Sequence, residues 1–179
     1  MWSNELTELF SVALISTGGT IEKTYDEQEG ILANGLSVLE LMISSLQLEG
    51  VQIHRVELMN KDSSEMSEED HNTIALCVNE QAKSNDGVIV IHGTDTLAIT
   101  GDRIVELYPD LDKPCILTGA MRPWIMRNTD ALQNLVESFT VVQLVQQGVY
   151  VSMHNQVLQF PGVTKDKVRM CFVKKNIEL

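Results

Sequence analysis

Three short apolar runs constrain the fold more than any other feature of the chain. Val12–Ile15, Val88–Ile91 and Cys115–Leu117 are continuous, without polar alternation. Runs of this kind suit parallel strands buried on both faces. Each breaks off into small and hydroxyl-bearing residues: Ser16-Thr17-Gly18-Gly19-Thr20, His92-Gly93-Thr94-Asp95-Thr96 and Thr118-Gly119-Ala120-Met121-Arg122-Pro123. Adjacent glycines at 18 and 19 allow backbone angles that a Cβ resists, so the chain can turn sharply there and expose N–H groups.

Segments of helical period lie between the runs. From Leu36, residues Leu39, Met42, Ile43 and Leu46 fall on one face, and Gly50 stops the pattern. Val51 to Leu58 alternates as a strand, followed by a polar loop from Met59 to Met66. Ser67 with Asp70 three residues on predicts an N-cap and capping box, ahead of a stripe at Ile74, Cys77, Val78 and Ala82. A third helix is expected through Ile104, Val105 and Tyr108, and a fourth from Thr129, before a fifth strand at 149–152. Alternation of strand and helix implies a parallel sheet with right-handed crossovers and helices on both faces. The expectation is therefore an α/β fold, a flavodoxin-like doubly wound parallel sheet. It forms a single domain over residues 1–179, with the 155–168 tail as a C-terminal hairpin around Pro161-Gly162.

Charge narrows the function classes. The formal net charge of -12, with 13 Lys and Arg against 25 Asp and Glu, argues against a nucleic-acid partner or an anionic membrane surface. No apolar run approaches the ~20 residues of a membrane span. The N-terminus lacks a basic leader, so the expected location is cytoplasmic. Cys77, Cys115 and Cys171 are scattered, and the four histidines form no ligand motif, so neither a metal nor a cofactor is expected.

In a parallel sheet the polar strand ends converge on one edge. That would bring together the hydroxyls of Thr17, Thr20, Thr94 and Thr96, with Tyr25 five residues beyond Thr20 and Asp95 beside Thr94. Lys165 lies in a loop after the last strand. A hydroxyl is a weak nucleophile until a neighbour takes its proton. Tyr or Lys does so in a suitable setting, and a Thr–Lys–Asp group forms a relay in which Asp holds Lys. Loop N–H groups around Gly18, Gly19 and Thr94 are candidates to stabilise an oxyanion. The pattern reads as acyl transfer by a threonine enzyme. Two other readings stand beside it: strand-end threonines often cap helices, and a Gly-rich loop can cradle phosphate. The phosphate reading lacks both GxGxxG and the Walker fingerprint.

Three segments, Thr17-Gly18-Gly19-Thr20-Ile21, His92-Gly93-Thr94-Asp95-Thr96 and Thr118–Pro123, resemble the bacterial-type L-asparaginase/glutaminase family. The resemblance covers nearly the whole chain and implies a short form without that family's C-terminal domain. It implies hydrolysis of L-asparagine to L-aspartate and ammonia, with Thr20 as nucleophile and Tyr25 as its activator. Thr94, Asp95 and Lys165 would form the relay. Ser63 would bind the substrate α-carboxylate and Asp95 its α-amino group, with Gly19, Ser64 and Gly93 lining the site. No cofactor is implied, and the expected partners are an amino-acid substrate and further copies of the chain, as a homodimer or homotetramer. Trp2 and Trp124 are candidates for contact between copies.

Overall fold

The computed structural model describes residues 8–26, 30–34 and 38–174. Strand β1 (Phe10–Gly18) leads through a 3-10 turn (Thr20–Glu22) into a small antiparallel hairpin, β2 (Lys23–Asp26) and β3 (Ile31–Asn34). Then come α1 (Leu39–Ser44), β4 (Val51–Lys61), a second 3-10 turn (Ser63–Glu65), α2 (Glu68–Ala82), β5 (Gly87–Ile91) and α3 (Leu97–Leu107). The chain finishes through β6 (Pro114–Thr118), α4 (Ala131–Val141), β7 (Gly148–Met153), β8 (Gln156–Gln159), β9 (Val163–Asp166) and β10 (Cys171–Lys174).

The main sheet runs β4-β1-β5-β6-β7-β8, parallel except for the antiparallel edge strand β8. Within this sheet the chain goes from β1 outward to β4, then returns to β5 on the other side of β1. This is the doubly wound order expected of a flavodoxin-like sheet, and it places the topological switch point between β1 and β5. Side chains alternate to the two faces. Val12, Leu14, Ile89, Ile91 and Ile116 pack toward α1 and α4, while Ala13, Ile15, Val88, Val90 and Leu117 pack toward α2 and α3. All ten are fully buried, which is why these runs carry no polar alternation.

Several boundaries differ from the sequence expectation. The hairpin β2–β3 lies between the first strand-end loop and α1, where the sequence predicts no strand. Leu36 lies outside the described residues, and α1 ends at Ser44 rather than continuing to Leu46. There the hydroxyls of Ser44 and Ser45 donate back to the Leu41 and Met42 carbonyls, competing with the next helical turn. β4 runs to Lys61, past Leu58, because a register shift after Ser16 lets Gly18 pair with Lys61. The capping box at Ser67 and Asp70 is present at the start of α2.

The tail also turns at a different place. Its hairpin onto the sheet is β7–β8, closed at His154-Asn155, both with positive φ (54° and 58°). Those angles match the twist of a two-residue hairpin turn. They are held there because the His154 and Asn155 N–H groups donate to Asn134 and Glu137 of α4. Pro161-Gly162 instead joins β8 to β9, which forms a two-stranded antiparallel sheet with β10.

Candidate active site

The switch point brings the first two polar loops into contact. Gly19 has φ +89°, and a Cβ added to it would lie 2.6 Å from the nitrogen and Cα of Gly93. Only a residue without a side chain fits this approach. Thr20 and Thr94 each follow one of these glycines. Thr17 donates to the Ile91 carbonyl at 2.9 Å, tying the end of β1 to the end of β5 from within the core.

Lys165 completes a cluster on the second loop. Its Nζ donates to Thr94 Oγ1 at 2.7 Å and to Asp95 Oδ1 at 2.8 Å. Its side chain is 9% exposed and that of Asp95 55%, so the pair reaches from a covered interior to the mouth of the site. The position of Lys165 is set from both sides of its strand. Lys165 pairs with Phe172 across β9–β10, and Val163 and Phe172 are buried in the core. The Gly162 N–H donates to Asp102 of α3 at 2.9 Å, and the Phe160 ring seats on Gly101 of the same helix. Helix α3 begins directly after Asp95 and Thr96, so one helix anchors both halves of the relay. Its N-terminal dipole also favours negative charge beside Thr94.

Ser63 forms the floor. It is buried; its Oγ accepts from the Asp95 N–H at 3.2 Å and its carbonyl accepts from Thr96 Oγ1 at 2.8 Å. A Cβ on Gly93 would lie 2.5 Å from Ser63 Oγ, so Gly93 packs directly over that hydroxyl. Accepting from Asp95 leaves the hydroxyl hydrogen of Ser63 available to a ligand. Ser64 differs: it is exposed and its Oγ donates to Asp62 Oδ1 at 2.9 Å. Asp62 also pairs with Lys23 at 2.6 Å, and that hydrogen bond, with the Ser64 N–H, holds its carboxyl down at about 2.

Thr20 opens the first 3-10 turn and is partly exposed. Tyr25 lies on β2 and is 58% exposed; no hydrogen bond places its hydroxyl on Thr20 or on the Thr94–Lys165 cluster. The structure therefore brings Gly19, Ser63, Gly93, Thr94, Asp95 and Lys165 into one contiguous group, with Thr20 at its margin and Tyr25 outside it. Among the described residues no group of three or more His, Cys, Asp or Glu is arranged to hold a metal ion.

The third loop is braced from α4. Asp130 reads in the sequence as a helix-start acid. It does stand at the N-cap of α4, but its side chain makes no cap bond. Instead the carboxylate, 4% exposed, accepts from the Met121 and Arg122 N–H groups, each at 2.9 Å. It also contacts His154 Nε2 at 2.7 Å and accepts from Asn134 Nδ2 at 3.0 Å. Burial alone would raise its pKa; the two N–H donors and His154 outweigh that and leave it lowered. Asn134 donates as well to the Gly119 carbonyl at 2.9 Å. Arg122 reaches Asp130 only at 3.9 Å, at the edge of the brace. Trp124 donates its N–H to the Ile21 carbonyl and packs partly into the core; Trp2 lies outside the described residues.

A second brace lies under the middle loop. The His92 imidazole is fully buried, with Nδ1 2.7 Å from the Gly93 carbonyl and Nε2 2.7 Å from Thr100 Oγ1. Thr100 in turn lies 2.7 Å from His71 Nδ1 on α2. Burial holds the His92 pKa down at about 4 and lowers that of His71. Asn134, His154, Thr100 and His71 carry no motif of their own, and sequence reasoning passed over them. One signal was present: Thr100 and Asn134 are polar residues at helical spacing with the apolar positions of α3 and α4.

Comparison with known proteins identifies the family. An L-asparaginase of Thermococcus kodakarensis is 30% identical over 152 residues, covering 85% of this chain and 46% of that protein. One chain of the glutamyl-tRNA(Gln) amidotransferase of Pyrococcus horikoshii is 33% identical over 147 residues, covering 81% of this chain and 34% of its own length. The structure of the thermostable L-asparaginase from Thermococcus kodakarensis superposes with a TM-score of 0.78 at 28% identity, covering 93% of this chain and 52% of that one. The chain thus spans about half the length of the asparaginases it matches. Residues 11–172, from the first strand to β10 and including every loop of the site, match the family model "Asparaginase, N-terminal", and the chain belongs to the asparaginase family.

Proposed function

We propose that the chain hydrolyses the side-chain amide of L-asparagine, giving L-aspartate and ammonia through an acyl-enzyme on Thr20. The observation that carries this reading is Lys165 Nζ held between the Thr94 hydroxyl and Asp95. In the proposed pose the Ser63 hydroxyl donates to the substrate α-carboxylate, and Asp95 accepts from its α-ammonium. Both residues are oriented for this by the bond between them. Thr20 Oγ attacks the amide carbon; Tyr25 takes its proton, and the amide nitrogen leaves as ammonia with that proton. Water then attacks the ester. Its proton passes to Thr94 as Thr94 gives its own to Lys165 and Lys165 hands one on to Asp95; on collapse the transfers reverse and Thr20 regains a proton as aspartate leaves. This assignment requires the β2–β3 hairpin to bring Tyr25 over Thr20 once substrate is bound.

The test is ammonia release from asparagine by the native chain, Thr20→Ala, Thr94→Ala and Tyr25→Phe, together with mass spectrometry of acid-quenched reactions. The reading expects loss of turnover in both threonine variants and an aspartyl adduct on the peptide bearing Thr20. An adduct on Thr94 instead reverses the roles of the two threonines.

A second substrate, glutamine or another amide, is favoured by the resemblance to an amidotransferase chain as well as to asparaginases. One methylene of pocket depth separates asparagine from glutamine, worth only ~1–3 kcal/mol. A non-catalytic amino-acid-binding module is the reading left if aspartate binds by calorimetry while neither amide turns over. We further propose a homodimer or homotetramer, supported by the exposure of Leu41 on α1 and Leu144 in the turn after α4 and tested by light scattering. A cytoplasmic location is supported by the three free cysteines. No nucleic-acid or membrane partner is proposed, and no described helix is long and apolar enough to cross a membrane.

A further inference from the structure

The buried chain Gly93–His92–Thr100–His71 has hydrogen positions that follow from chemistry alone. A carbonyl oxygen only accepts, so the Nδ1 that faces Gly93 O carries a hydrogen. His92 is neutral in its buried setting, so its Nε2 is a lone pair and accepts from the Thr100 hydroxyl. That hydroxyl has one hydrogen, now used, so Thr100 Oγ1 accepts from His71 and the hydrogen on His71 also sits on Nδ1. Every bond points the same way, from His71 through Thr100 and His92 to the Gly93 carbonyl. The two imidazoles lie nearly parallel, 11° apart in plane and 6.3 Å between centroids, and all three side chains are buried.

A run of polar groups inside an apolar face is costly unless each is satisfied, and this one ends on a single backbone carbonyl beside the relay. The peptide Gly93–Thr94 is planar, so its N–H points opposite to its C=O. With the carbonyl drawn in to His92, the Thr94 N–H faces away from the buried imidazole. Among the described residues no acceptor takes it.

We propose that His71 and Thr100 are positioning residues. They hold the His92 ring in place with its Nδ1–H toward Gly93, His92 clamps the Gly93 carbonyl, and the clamp aims the Thr94 N–H at the oxygen that becomes negative when the amide or ester is attacked. The catalytic part of this rests on the amidase reading above; the ordering of the hydrogens does not. Without the Thr100 hydroxyl, His92 Nε2 is a buried lone pair with no donor, and the Gly93 carbonyl alone holds the ring. The imidazole is then free to turn, which loosens its hold on the peptide.

The test uses the full chain with 15N-labelled histidine, as native, Thr100→Val, Thr100→Ser, His71→Phe and His71→Asn, each checked by thermal melt. Two-bond 1H–15N spectra read the tautomers, asparagine turnover reads kcat and KM, and calorimetry reads aspartate affinity. The native chain should show Nδ1–H on both His71 and His92. Thr100→Val should keep Nδ1–H on His92, move its Nε2 15N resonance to the position of an acceptor without a donor, and lose ~10–100-fold in kcat, with KM changed by less than about threefold, as for outer-shell partners elsewhere. Thr100→Ser and His71→Asn, which keep a hydroxyl and an amide donor in place, should recover most of the loss; His71→Phe should not. Native His92 in the Nε2–H form overturns the proposal. So does a folded Thr100→Val chain with unchanged His92 Nε2 resonance and kcat. If the native chain turns over no amide, the amidase reading fails. The native tautomers and the Nε2 shift in Thr100→Val then decide the hydrogen-bond chain on their own.

Discussion

Replacing Lys165 by Met separates what this lysine does for the fold from what it does for the reaction. Met keeps most of the apolar stem, so packing between β9 and the second loop survives. What is lost is one charge and two hydrogen bonds, at 2.7 and 2.8 Å. Asp95 is more than half exposed and can be rehydrated. The pair therefore behaves largely as a surface ion pair, worth ~0–1 kcal/mol. Thr94 is buried and loses a donor, but its own hydroxyl hydrogen can rotate to another acceptor. The net cost to stability is about 1 kcal/mol, a fall in melting temperature of roughly 2–4 °C for a domain of this size. The chemical step loses its proton acceptor. A positioned acid–base group contributes ~10²–10⁴ in rate, or about 2.7–5.4 kcal/mol of barrier. Coupled detection of ammonia at saturating asparagine, beside a circular-dichroism melt, measures both. A Lys165→Met chain that melts within a few degrees of native and keeps more than a third of native kcat would refute the relay.

Other predictions test the scaffold. Asp130→Ala leaves the Met121 and Arg122 N–H groups without their buried acceptor and should cost ~3–5 kcal/mol, read by denaturant titration. An unchanged midpoint would show that water replaces the carboxylate. Gly101→Ala sets helix propensity, which favours Ala by ~1 kcal/mol, against a Cβ placed 2.2 Å from the Phe160 ring. The clash should win, destabilising by ~1–3 kcal/mol, and Phe160→Leu in the same chain should relieve it. Asp62 and Asp70 are both held at about 2, chiefly by hydrogen bonds from Lys23 and Lys61 respectively, below their ordinary value of 3.8. A lowered folded pKa means stabilisation that is complete above about pH 4 and is lost as pH falls from 4 to 2. Acid titration of Lys23→Met should show a smaller loss across that window; an identical acid limb would remove Lys23 as the cause.

Closeness of approach is the common feature of the three loops. Added Cβ atoms at Gly19, Gly93 and Gly119 would lie 2.6, 2.5 and 2.2 Å from Gly93, Ser63 and the His92 carbonyl. Each glycine marks a place where one loop rests on the next, backbone against backbone at Gly19 and Gly119 and backbone over the Ser63 side chain at Gly93.

The sequence by itself determined the class of fold and the existence of the loops. Unbroken apolar runs demand burial on both faces, and their abrupt ends at Ser16, His92 and Thr118 mark one edge of a parallel sheet. It determined the capping box at Ser67 and Asp70 because both partners lie within a single helical turn. It also pointed to Thr94, Asp95 and Lys165 as a group, through motif rather than distance. Tertiary structure alone decided how these residues meet. Lys165 lies about seventy positions from Thr94, and only the seating of β9 on α3 brings its Nζ there. Tyr25, close to Thr20 in sequence, lies exposed on the separate β2–β3 hairpin and makes no hydrogen bond to the cluster. Residues 71, 100, 130, 134 and 154 acquire their roles from partners on other elements. A buried hydrogen bond between distant residues leaves no periodicity to read, since each side chain is shaped by a neighbour that only the fold supplies.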